Sequence, residues 1–263
     1  MSRDATLHFL ARTPAPFVLL DLDGTLVRGE AAVEGAGALV RALGPRCAIV
    51  SNNSVDSARE VAARLARLGI EVPASRVVLA GEVALDWIAA TRPGARVMTL
   101  GGDASRAGAR GLVSTDDAPA FVLATRDPAV DLARIGAAAD AVRAGAELIV
   151  ANPDLWHPGP DARRVPETGA MLAAVLACAG DVRYRVIGKP EPELFVRALS
   201  ALGATVDRTL VVGDNPDTDG RGARALGMAC ALVGVDAQLG WPDLVSFLVE
   251  TRLLPASATM AAK

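Results

Sequence analysis

The fold of this chain is decided by the stretch Phe17–Thr25, which reads FVLLDLDGT. Its four leading apolar residues run directly into two carboxylates, and such a run is typical of a strand that is buried on both faces of a parallel sheet. Open α/β sheets bind their ligands at the carboxyl ends of their strands. Two acids at such an edge repel each other unless they share a cation or a proton. Because a plain turn needs only one Asp and a Gly, Asp21 and Asp23 indicate a functional site.

The bulk composition excludes two classes of partner. The chain has 263 residues, 51% of them hydrophobic, which is enough for one large domain or two modest ones. Its formal charge is -3 and only 3% of its residues are aromatic. These values disfavour a basic patch for nucleic acid and a surface for anionic membranes. We therefore expect neither a nucleic acid nor a membrane as partner.

The three cysteines, Cys47, Cys178 and Cys230, lie far apart in the sequence. An odd count without close spacing is typical of reduced, buried thiols in a cytoplasmic protein, and it disfavours a zinc site. No apolar run approaches the roughly 18 residues of a membrane span, and residues 1–12 lack the apolar core of a signal peptide. We therefore predict a cytoplasmic location.

Strands and helices alternate along both ends of the chain. The predicted strands are Phe17–Leu20, Cys47–Val50, Val186–Ile187, Thr209–Val212 and Ala229–Val233. Helical patterns lie between them, at residues 56–68 and 191–202. This alternation predicts an α/β fold with a doubly wound, mostly parallel, Rossmann-like sheet.

The middle of the chain repeats the alternation without the same polar residues at its strand ends. Strands are predicted at residues 96–100, 121–124 and 148–151, and helices at residues 131–144 and 167–179. We therefore predict that residues 81–183 form an inserted, smaller α/β domain, and that residues 1–80 and 184–263 form the core. The tail from Thr251 is expected to fray.

The residues that follow the predicted core strands form one chemical set. They are Asp21, Asp23, Ser51, Lys189, Asp214, Asp217 and Asp219. Because the ends of parallel strands face the same edge, we expect these groups to converge. Carboxylates favour a hard cation such as Mg²⁺, Lys189 supplies a charge for a phosphate, and Ser51 with backbone N–H groups can bind phosphate oxygens. One Asp can then attack phosphorus while another transfers protons, so the set predicts phosphoryl transfer.

Each of these motifs has an ordinary structural interpretation when it is taken alone. Lys189 can be a solvated residue at a helix start, Ser51–Asn53 can be a turn with a helix cap, and residues 214–217 can be another turn. Their joint occurrence, in this order and each after an apolar run, favours the functional interpretation.

The chain resembles the haloacid dehalogenase-like phosphatases over nearly its whole length. The matching stretches are Asp21–Thr25, Ser51–Asn53, Gly188–Pro190, Gly213–Asn215 and Thr218–Asp219. By this resemblance Asp21 is the nucleophile that forms an aspartyl-phosphate, and Asp23 is first the general acid and then the general base. The resemblance also implies two binding sets. Ser51, Asn52 and Lys189 would bind the phosphate, and Asp21, the Asp23 carbonyl and Asp214 would hold Mg²⁺, with Asp219 supporting the metal shell.

The motif spacing implies a cap domain of one subclass of that family. Only 30 positions separate Asp21 from Ser51 (51 − 21), whereas 138 separate Ser51 from Lys189 (189 − 51), so the insertion lies in the second cap site. Together with Thr218–Asp219, this spacing resembles the subclass of pyridoxal phosphatase, phosphoglycolate phosphatase and ribonucleotide monophosphatases. The resemblance also implies a homodimer through the cap, which no feature of the sequence demonstrates.

The stretch Ala151–Pro158, followed by Pro166–Gly169, resembles the substrate-specificity loop of that subclass. Its Trp-His-Pro is similar to that of pyridoxal phosphatases, in which the His lies against the pyridine ring, although a packed Trp beside a surface His stays open as the alternative. Arg126 stands where the pyridoxal enzymes have an aromatic residue, and it favours a second anionic group on the substrate. The expected specificity residues are Asn152, Asp154, Trp156, His157 and Arg126.

The sequence therefore predicts a Mg²⁺-dependent phosphatase of a small phosphorylated metabolite, with pyridoxal 5′-phosphate or a similar phosphomonoester favoured. Phosphoglycolate, glycerol phosphates and nucleoside monophosphates are alternative substrates. Asp23 argues against a dehalogenase, which has no use for an acid two residues beyond its nucleophile. A non-catalytic phospholigand-binding protein on the same scaffold stays open as a different class, although no catalytic acid is missing.

Overall fold

The computed structural model describes residues 3–101, 104–158, 163–235 and 240–253. These residues divide into two compact units. Unit 1 comprises the described residues within 1–51, 58–78 and 192–263, and unit 2 comprises those within 52–57 and 79–191.

The secondary structure alternates along the described parts of the chain. The strands are β1 (Phe17–Leu20), β2 (Val27–Arg28), β3 (Ala31–Ala32), β4 (Cys47–Ser51), β5 (Val77–Leu79), β6 (Arg96–Thr99), β7 (Val113–Ser114), β8 (Phe121–Ala124), β9 (Glu147–Val150), β10 (Trp156–Pro158), β11 (Arg164–Pro166), β12 (Tyr184–Val186), β13 (Thr209–Gly213) and β14 (Ala229–Leu232). The helices are α1 (Arg3–Arg12), α2 (Ala36–Leu43), α3 (Ala58–Arg67), α4 (Ala80–Thr91), α5 (Ala104–Gly108), α6 (Leu132–Arg143), α7 (Thr168–Ala179), α8 (Glu193–Leu202), α9 (Arg221–Ala225) and α10 (Leu244–Thr251).

The sheet of unit 1 has the strand order β14-β13-β1-β4-β5. Strand β1 pairs in parallel with β13 on one side and with β4 on the other, so that Leu19 lies opposite both Val211 and Ala48. Val18, Leu19 and Leu20 are completely buried, as the uninterrupted apolar run predicts. Because successive strands are added on opposite sides of β1, this strand stands at the switch point where doubly wound sheets bind ligands. The predicted α/β fold is confirmed.

Helix α8 packs on this sheet through a stripe of apolar residues that its sequence spacing predicts. Leu194, Phe195, Ala198 and Leu199 form its buried stripe, which has the spacing of an amphipathic helix that packs on a core. Each fully buried side chain of this kind contributes roughly 1.5–3 kcal/mol of transfer free energy. The helix begins at Glu193 rather than at the predicted residue 191, because Pro192 occupies its N-cap position.

The sheet of unit 2 has the order β12-β9-β8-β6-β7, and all its strand pairs are parallel. Its core includes Met98, Val122, Leu148 and Val175, together with neighbouring side chains from α6 and α7. Unit 2 is therefore a second parallel α/β layer with its own hydrophobic core.

The strand before Lys189 was predicted in the core sheet, and this prediction is wrong. Strand β12 pairs with β9 in the sheet of unit 2, with Arg185 opposite Ile149. The apolar run at residues 186–187 is too short to indicate which sheet it joins, and both Tyr184 and Arg185 are exposed at the sheet edge. Residues 184–191 and 52–57 thus belong to unit 2, whereas the sequence assigned them to the core.

The cysteines differ in exposure. Cys47 and Cys230 are buried, as expected, but Cys178 is exposed. It lies in the last turn of α7, beyond Val175, the last buried residue of that helix. Burial raises the pKa of the Cys47 thiol, while the neighbouring guanidinium groups of Arg76 and Arg46 oppose this shift.

Two observations complete the fold. Within the described ranges, every helix is too short or too polar to cross a bilayer. The tail that was predicted to fray begins at Thr251, which is the last residue of α10, and its residues 254–263 lie outside the described residues.

Candidate active site

A tight turn follows β1 and shapes the site in unit 1. The Gly24 N–H donates to the Val27 carbonyl at 2.7 Å, and the Leu26 N–H donates to the Leu22 carbonyl at 2.9 Å. Gly24 has a φ of 93°, in the left-handed region that favours glycine. A Cβ atom at Gly24 would lie 1.9 Å from Asp214 Oδ2. The glycine therefore makes room for the Asp214 carboxylate against the turn.

Asp21 is held rigidly at the end of β1. Its backbone N–H donates to the Val212 carbonyl at 2.9 Å, which continues the pairing of β1 with β13. The Thr25 hydroxyl donates to Asp21 Oδ2 at 3.1 Å. Thr25 is fully buried and Asp21 is 7% exposed. The turn thus fixes one carboxylate oxygen of Asp21 in an almost water-free place.

Three carboxylates converge at this edge of the sheet. One oxygen each from Asp21, Asp214 and Asp219 lies within 4.8 Å of the other two. Anions at such a separation repel unless a cation lies between them, and an all-oxygen carboxylate set suits Mg²⁺. The residues therefore fit a hard divalent cation, and the missing side chain at Gly24 lets the Asp214 carboxylate take its place in the cluster.

Asp219 reaches the cluster through one turn of π-helix at Pro216–Gly220. Asn215 organises this turn, since its side-chain oxygen accepts from the Asp217 N–H at 2.9 Å and its backbone N–H donates to Asp219 Oδ2 at 3.3 Å. A Cβ at Gly213 would lie 2.3 Å from the Asp219 Cγ. Asp219 was expected behind the metal shell, but its carboxylate stands among the three converging groups, because the wide π-turn and Gly213 let it come this close.

Asp23 lies two residues after Asp21 in the sequence, and Ser51 lies at the end of the strand that pairs with β1. Ser51 is the last residue of β4 and is 2% exposed, whereas Asp23 is exposed. Strands β1 and β4 are adjacent, with Leu20 opposite Ile49. Asp21, which follows β1, and Ser51, which ends β4, therefore lie at the same edge of the sheet. An exposed carboxylate two residues after a buried one can exchange protons with solvent or substrate.

Asn52 and Lys189 are joined within unit 2. The Lys189 N–H donates to Asn52 Oδ1 at 2.7 Å, and Asn52 Nδ2 donates both to the Lys189 carbonyl at 3.0 Å and to Asp154 Oδ2 at 2.9 Å. Lys189 is 2% exposed. Since the oxygen and both amide hydrogens of Asn52 are used in this way, its side chain positions the Lys189 backbone. The sequence did not show this role.

A buried polar chain extends from Asn52 into unit 2. Asn152 Nδ2 donates to the Asn52 carbonyl at 2.8 Å and to the Thr168 hydroxyl at 3.2 Å. The Thr168 hydroxyl also lies 3.2 Å from that of Ser54, which accepts from the Arg126 N–H at 3.0 Å. The structure thus links the expected phosphate residues of unit 2 to the expected specificity residues by direct hydrogen bonds.

The remaining specificity residues lie around Glu167. His157 Nδ1 lies 2.7 Å from Glu167 Oε1, and Arg126 Nε lies 3.4 Å from the same oxygen. Trp156 is 43% exposed, and the Arg164 guanidinium lies over its ring at 4.4 Å from the centroid. His157 therefore has a carboxylate partner, and Trp156 is a partly exposed ring covered by a cation.

Several residues of the site escaped the sequence analysis. Thr25 and Gly24 stand in the stretch that was singled out, but nothing in the sequence shows that one holds Asp21 and the other admits Asp214. Asn215 has the signal of an ordinary Asx turn, which does not reveal a π-helix. Glu167 stands in a stretch that resembles the specificity loop, but nothing in the sequence shows that its carboxylate contacts both His157 and Arg126.

Known proteins are similar to this chain in sequence and in fold. Residues 18–112 match a family model described as haloacid dehalogenase-like hydrolase, and residues 186–238 match a model described as HAD-hydrolase-like. The acid sugar phosphatase of Staphylococcus saprophyticus is 34% identical over 207 residues, which cover 76% of this chain and 79% of that protein. The chain belongs to the haloacid dehalogenase-like hydrolases. The family resemblance of its motifs is confirmed, and this hydrolase is a phosphomonoesterase.

Two further comparisons concern one organism, Mycobacterium tuberculosis. Its D-glycerol 3-phosphate phosphatase is 34% identical to this hydrolase over 230 residues, covering 85% of the chain and 64% of the relative. A crystal structure of a glycerol phosphate phosphatase in complex with magnesium superposes with a TM-score of 0.78 at 34% identity, covering 84% of this chain and 69% of that one. A divalent metal is therefore consistent with the carboxylate cluster.

Proposed function

We propose that this enzyme is a Mg²⁺-dependent phosphatase of a small phosphorylated metabolite and works through an aspartyl-phosphate on Asp21. The observation that carries the proposal is the convergence of the Asp21, Asp214 and Asp219 carboxylates at the switch point of the core sheet. Asp21, Asp214 and the Asp23 carbonyl would hold the metal, and the Asp219 carboxylate would complete the set. When bound, Mg²⁺ neutralises charge between the phosphate and these carboxylates.

The residues divide the reaction into two displacements. Asp21 attacks phosphorus, the bond from phosphorus to the leaving oxygen breaks, and Asp23 donates its proton to that oxygen. Asp23 then takes a proton from a water molecule, which attacks the phosphoryl group and releases Asp21 and inorganic phosphate. The exposure of Asp23 and the burial of Asp21 suit these roles.

The phosphoryl oxygens need donors that stay in place while charge moves. We assign this role to the Ser51 hydroxyl, the Asn52 backbone N–H and the Lys189 ammonium group. Ser51 and Lys189 are each 2% exposed, and buried donors need no reorganisation as charge develops. The Asn52 side chain keeps the Lys189 backbone fixed.

The substrate that we propose is a small phosphorylated polyol or sugar. The relatives at 34% identity are named for acid sugars and for glycerol 3-phosphate, and they support this class. Pyridoxal 5′-phosphate is the second candidate. The Trp156-His157 pair favours it, because the pyridine ring of this substrate can stack on an aromatic side chain. A homodimer through the cap and a cytoplasmic location stay predictions.

The assigned nucleophile is tested by Asp21→Asn. We expect this variant to lose p-nitrophenyl phosphate turnover by a factor of about 10⁴ or more, because the amide neither attacks phosphorus nor carries the charge that binds the metal. The matched control is Asp217→Asn. Asp217 was expected in the converging set, but it is exposed on the π-turn and is not among the three carboxylates that meet, so this variant should keep wild-type turnover. Activity in Asp21→Asn at the wild-type level would refute the mechanism.

The same assay separates the phosphatase from a non-catalytic phospholigand-binding protein. A wild-type protein that binds a phosphate mimic such as BeF₃⁻ but turns over no phosphomonoester with Mg²⁺ belongs to that second class. A screen of kcat/KM over glycerol phosphates, sugar phosphates, phosphoglycolate, nucleoside monophosphates and pyridoxal 5′-phosphate then ranks the substrates.

A further inference from the structure

Glu167 lies at the centre of the specificity residues of unit 2. Its Oε1 lies 2.7 Å from His157 Nδ1 and 3.4 Å from Arg126 Nε, and its Oε2 accepts from the Thr168 N–H at 3.3 Å. The Glu167 and Arg126 side chains are 18% and 22% exposed. One part-buried carboxylate thus contacts His157 and Arg126, two of the five residues that were expected to read the substrate.

The contact changes what Arg126 can recognise. A guanidinium without a counter-ion is a strong site for a second anionic group, because it can bind a carboxylate through two parallel hydrogen bonds. Here the Nε of Arg126 already faces Glu167 and the Pro166 carbonyl, the latter at 3.3 Å. An incoming carboxylate would gain from Arg126 and be repelled by Glu167, so the pair presents no net charge to it.

The contact also orients His157. A carboxylate accepts, so Nδ1 carries the proton in the hydrogen bond to Glu167. In the neutral imidazole, the other ring nitrogen, Nε2, is then an acceptor. An acceptor of this kind suits a hydroxyl group of a substrate and not a carboxylate, which has no proton to donate.

Hydrogen bonds connect this cluster to the residues that we assign to the phosphate. The path runs from Asn52 through Asn152 and the Thr168 hydroxyl to the backbone of Thr168, which Glu167 caps. Arg126 joins the same path through its N–H bond to Ser54. Every link lies within unit 2. The cluster therefore has a fixed place relative to Asn52 and Lys189.

We propose that Glu167 is a positioning residue that makes the enzyme select uncharged, hydroxyl-bearing leaving groups over carboxylated ones. It does so by neutralising Arg126 and by holding His157 through Nδ1. This inference rests on the proposed phosphatase function and narrows it: the sequence alone suggested that Arg126 favours a second anionic group, and Glu167 reverses that expectation.

The test uses two substrates that differ in one group. Glycerol 3-phosphate and 3-phosphoglycerate share a carbon skeleton, and a CH₂OH group of the first is a carboxylate in the second. In Glu167→Gln we expect the ratio of kcat/KM for 3-phosphoglycerate to that for glycerol 3-phosphate to rise about tenfold, because one charge-assisted contact becomes available to the substrate. Glu167→Asp, which keeps the charge, should restore a ratio near that of the wild type.

A second variant must move the ratio the other way. Arg126→Gln leaves the Glu167 carboxylate without its cation, so the same ratio should fall about tenfold. The matched control is Glu147→Gln, an identical change at a half-exposed residue of unit 2 that pairs with Arg92 at 3.3 Å. The control should not change the ratio.

The outcomes separate this inference from the function on which it rests. If the wild type hydrolyses p-nitrophenyl phosphate but all variants keep the ratio within about twofold of the wild type, Glu167 only caps α7 and the inference is overturned. A parallel loss for both substrates in Glu167→Gln and Arg126→Gln has the same meaning. A wild type that hydrolyses no phosphomonoester overturns both proposals.

Discussion

The absence of one side chain, at Gly24, decides whether the three carboxylates can meet. Its φ of 93° and the 1.9 Å that would separate a Cβ from Asp214 Oδ2 act together. We predict that Gly24→Ala lowers Mg²⁺-dependent turnover by about 10²-fold or more, because a displacement of about 1 Å at a catalytic group has effects of this size. The measurement is p-nitrophenyl phosphate kinetics as a function of Mg²⁺ concentration.

The control for this variant is Gly29→Ala. Gly29 also has a positive φ, of 57°, but no atom of the described residues lies within 4 Å of the place of its Cβ. Both variants bear the backbone strain of about 1–2 kcal/mol, and only Gly24→Ala displaces Asp214. Equal losses of activity in the two variants would show that strain, and not the carboxylate, is responsible.

Individual residues also show which parts of the site could be predicted from the sequence and which could not. Asp21, Asp214 and Asp219 could be predicted to converge because each follows an apolar run, and the ends of parallel strands share an edge. The hydrogen bond of Thr25 to Asp21, the commitment of the Asn52 side chain to Lys189 and the position of Glu167 depend on three-dimensional contacts. No spacing in the chain encodes them.

At the scale of elements, α1 and α10, the first and last helices of the described chain, are joined by side-chain contacts within unit 1. Glu250 on α10 accepts from Arg3 Nε at 3.0 Å and from Trp241 Nε1 at 2.7 Å. The Arg3 guanidinium also lies over the Trp241 ring, 5.6 Å from its centroid. The hydrogen bond from Arg3, followed by that from Trp241, lowers the pKa of the Glu250 carboxyl below its ordinary value of 4.5.

This shift gives a pH-dependent contribution to stability. A carboxyl whose pKa is lowered in the folded state stabilises the fold above its unfolded pKa, and the contribution is lost as the pH falls through the folded pKa. We predict that Glu250→Gln lowers the free energy of unfolding by about 0.5 kcal/mol at pH 7, since the pair is partly exposed. The difference should shrink as the pH falls from 7 through the lowered pKa of Glu250, as urea titrations at pH 7 and at a series of acidic pH values would show.

The comparison for this prediction is Glu71→Gln, the same change at an exposed residue of unit 1. It should alter the free energy of unfolding little at any of these pH values. A Glu250→Gln difference that grows on acidification would have the wrong sign and would exclude the assigned ion pair.

Elements also show why some boundaries were predictable. Strands β1 and β8 have the bounds that their apolar runs predict, because three of the four residues of β1 and all four of β8 are buried. Strand β12 went to the other sheet, since two apolar residues cannot specify a partner. The π-turn at Pro216–Gly220 resembles an ordinary Asx turn in sequence, and its width shows in the hydrogen bond from the Gly220 N–H to the Asn215 carbonyl at 3.2 Å.

At the scale of the whole molecule, the carboxylate cluster couples metal binding to stability. A cation that binds the folded chain and not the unfolded one stabilises it by about 2.7 kcal/mol at 100 times its Kd. We predict that Mg²⁺ raises the Tm of the wild type and that EDTA reverses this. In Asp214→Asn the Mg²⁺ dependence should disappear while the Tm in EDTA stays at or above that of the wild type, because one of three mutually repelling carboxylates is gone.

Calorimetry with Ca²⁺ and with Na⁺ at equal ionic strength supplies the comparison for this prediction. An equal rise in Tm with Na⁺ would mean that screening of surface charge, and not a bound divalent ion, stabilises the protein. An unchanged Mg²⁺ effect in Asp214→Asn would remove this residue from the metal site.

The division of the chain affects how such enzymes can be recombined. Residues 52–57 continue directly from β4 of the core sheet, yet they belong to unit 2. There Asn52 donates hydrogen bonds to both Lys189 and Asp154. A chimaera that exchanges residues 79–191 alone with a relative would leave Asn52 facing a foreign lysine loop. Grafting a new specificity therefore requires two donor segments, and the shorter of them is six residues long.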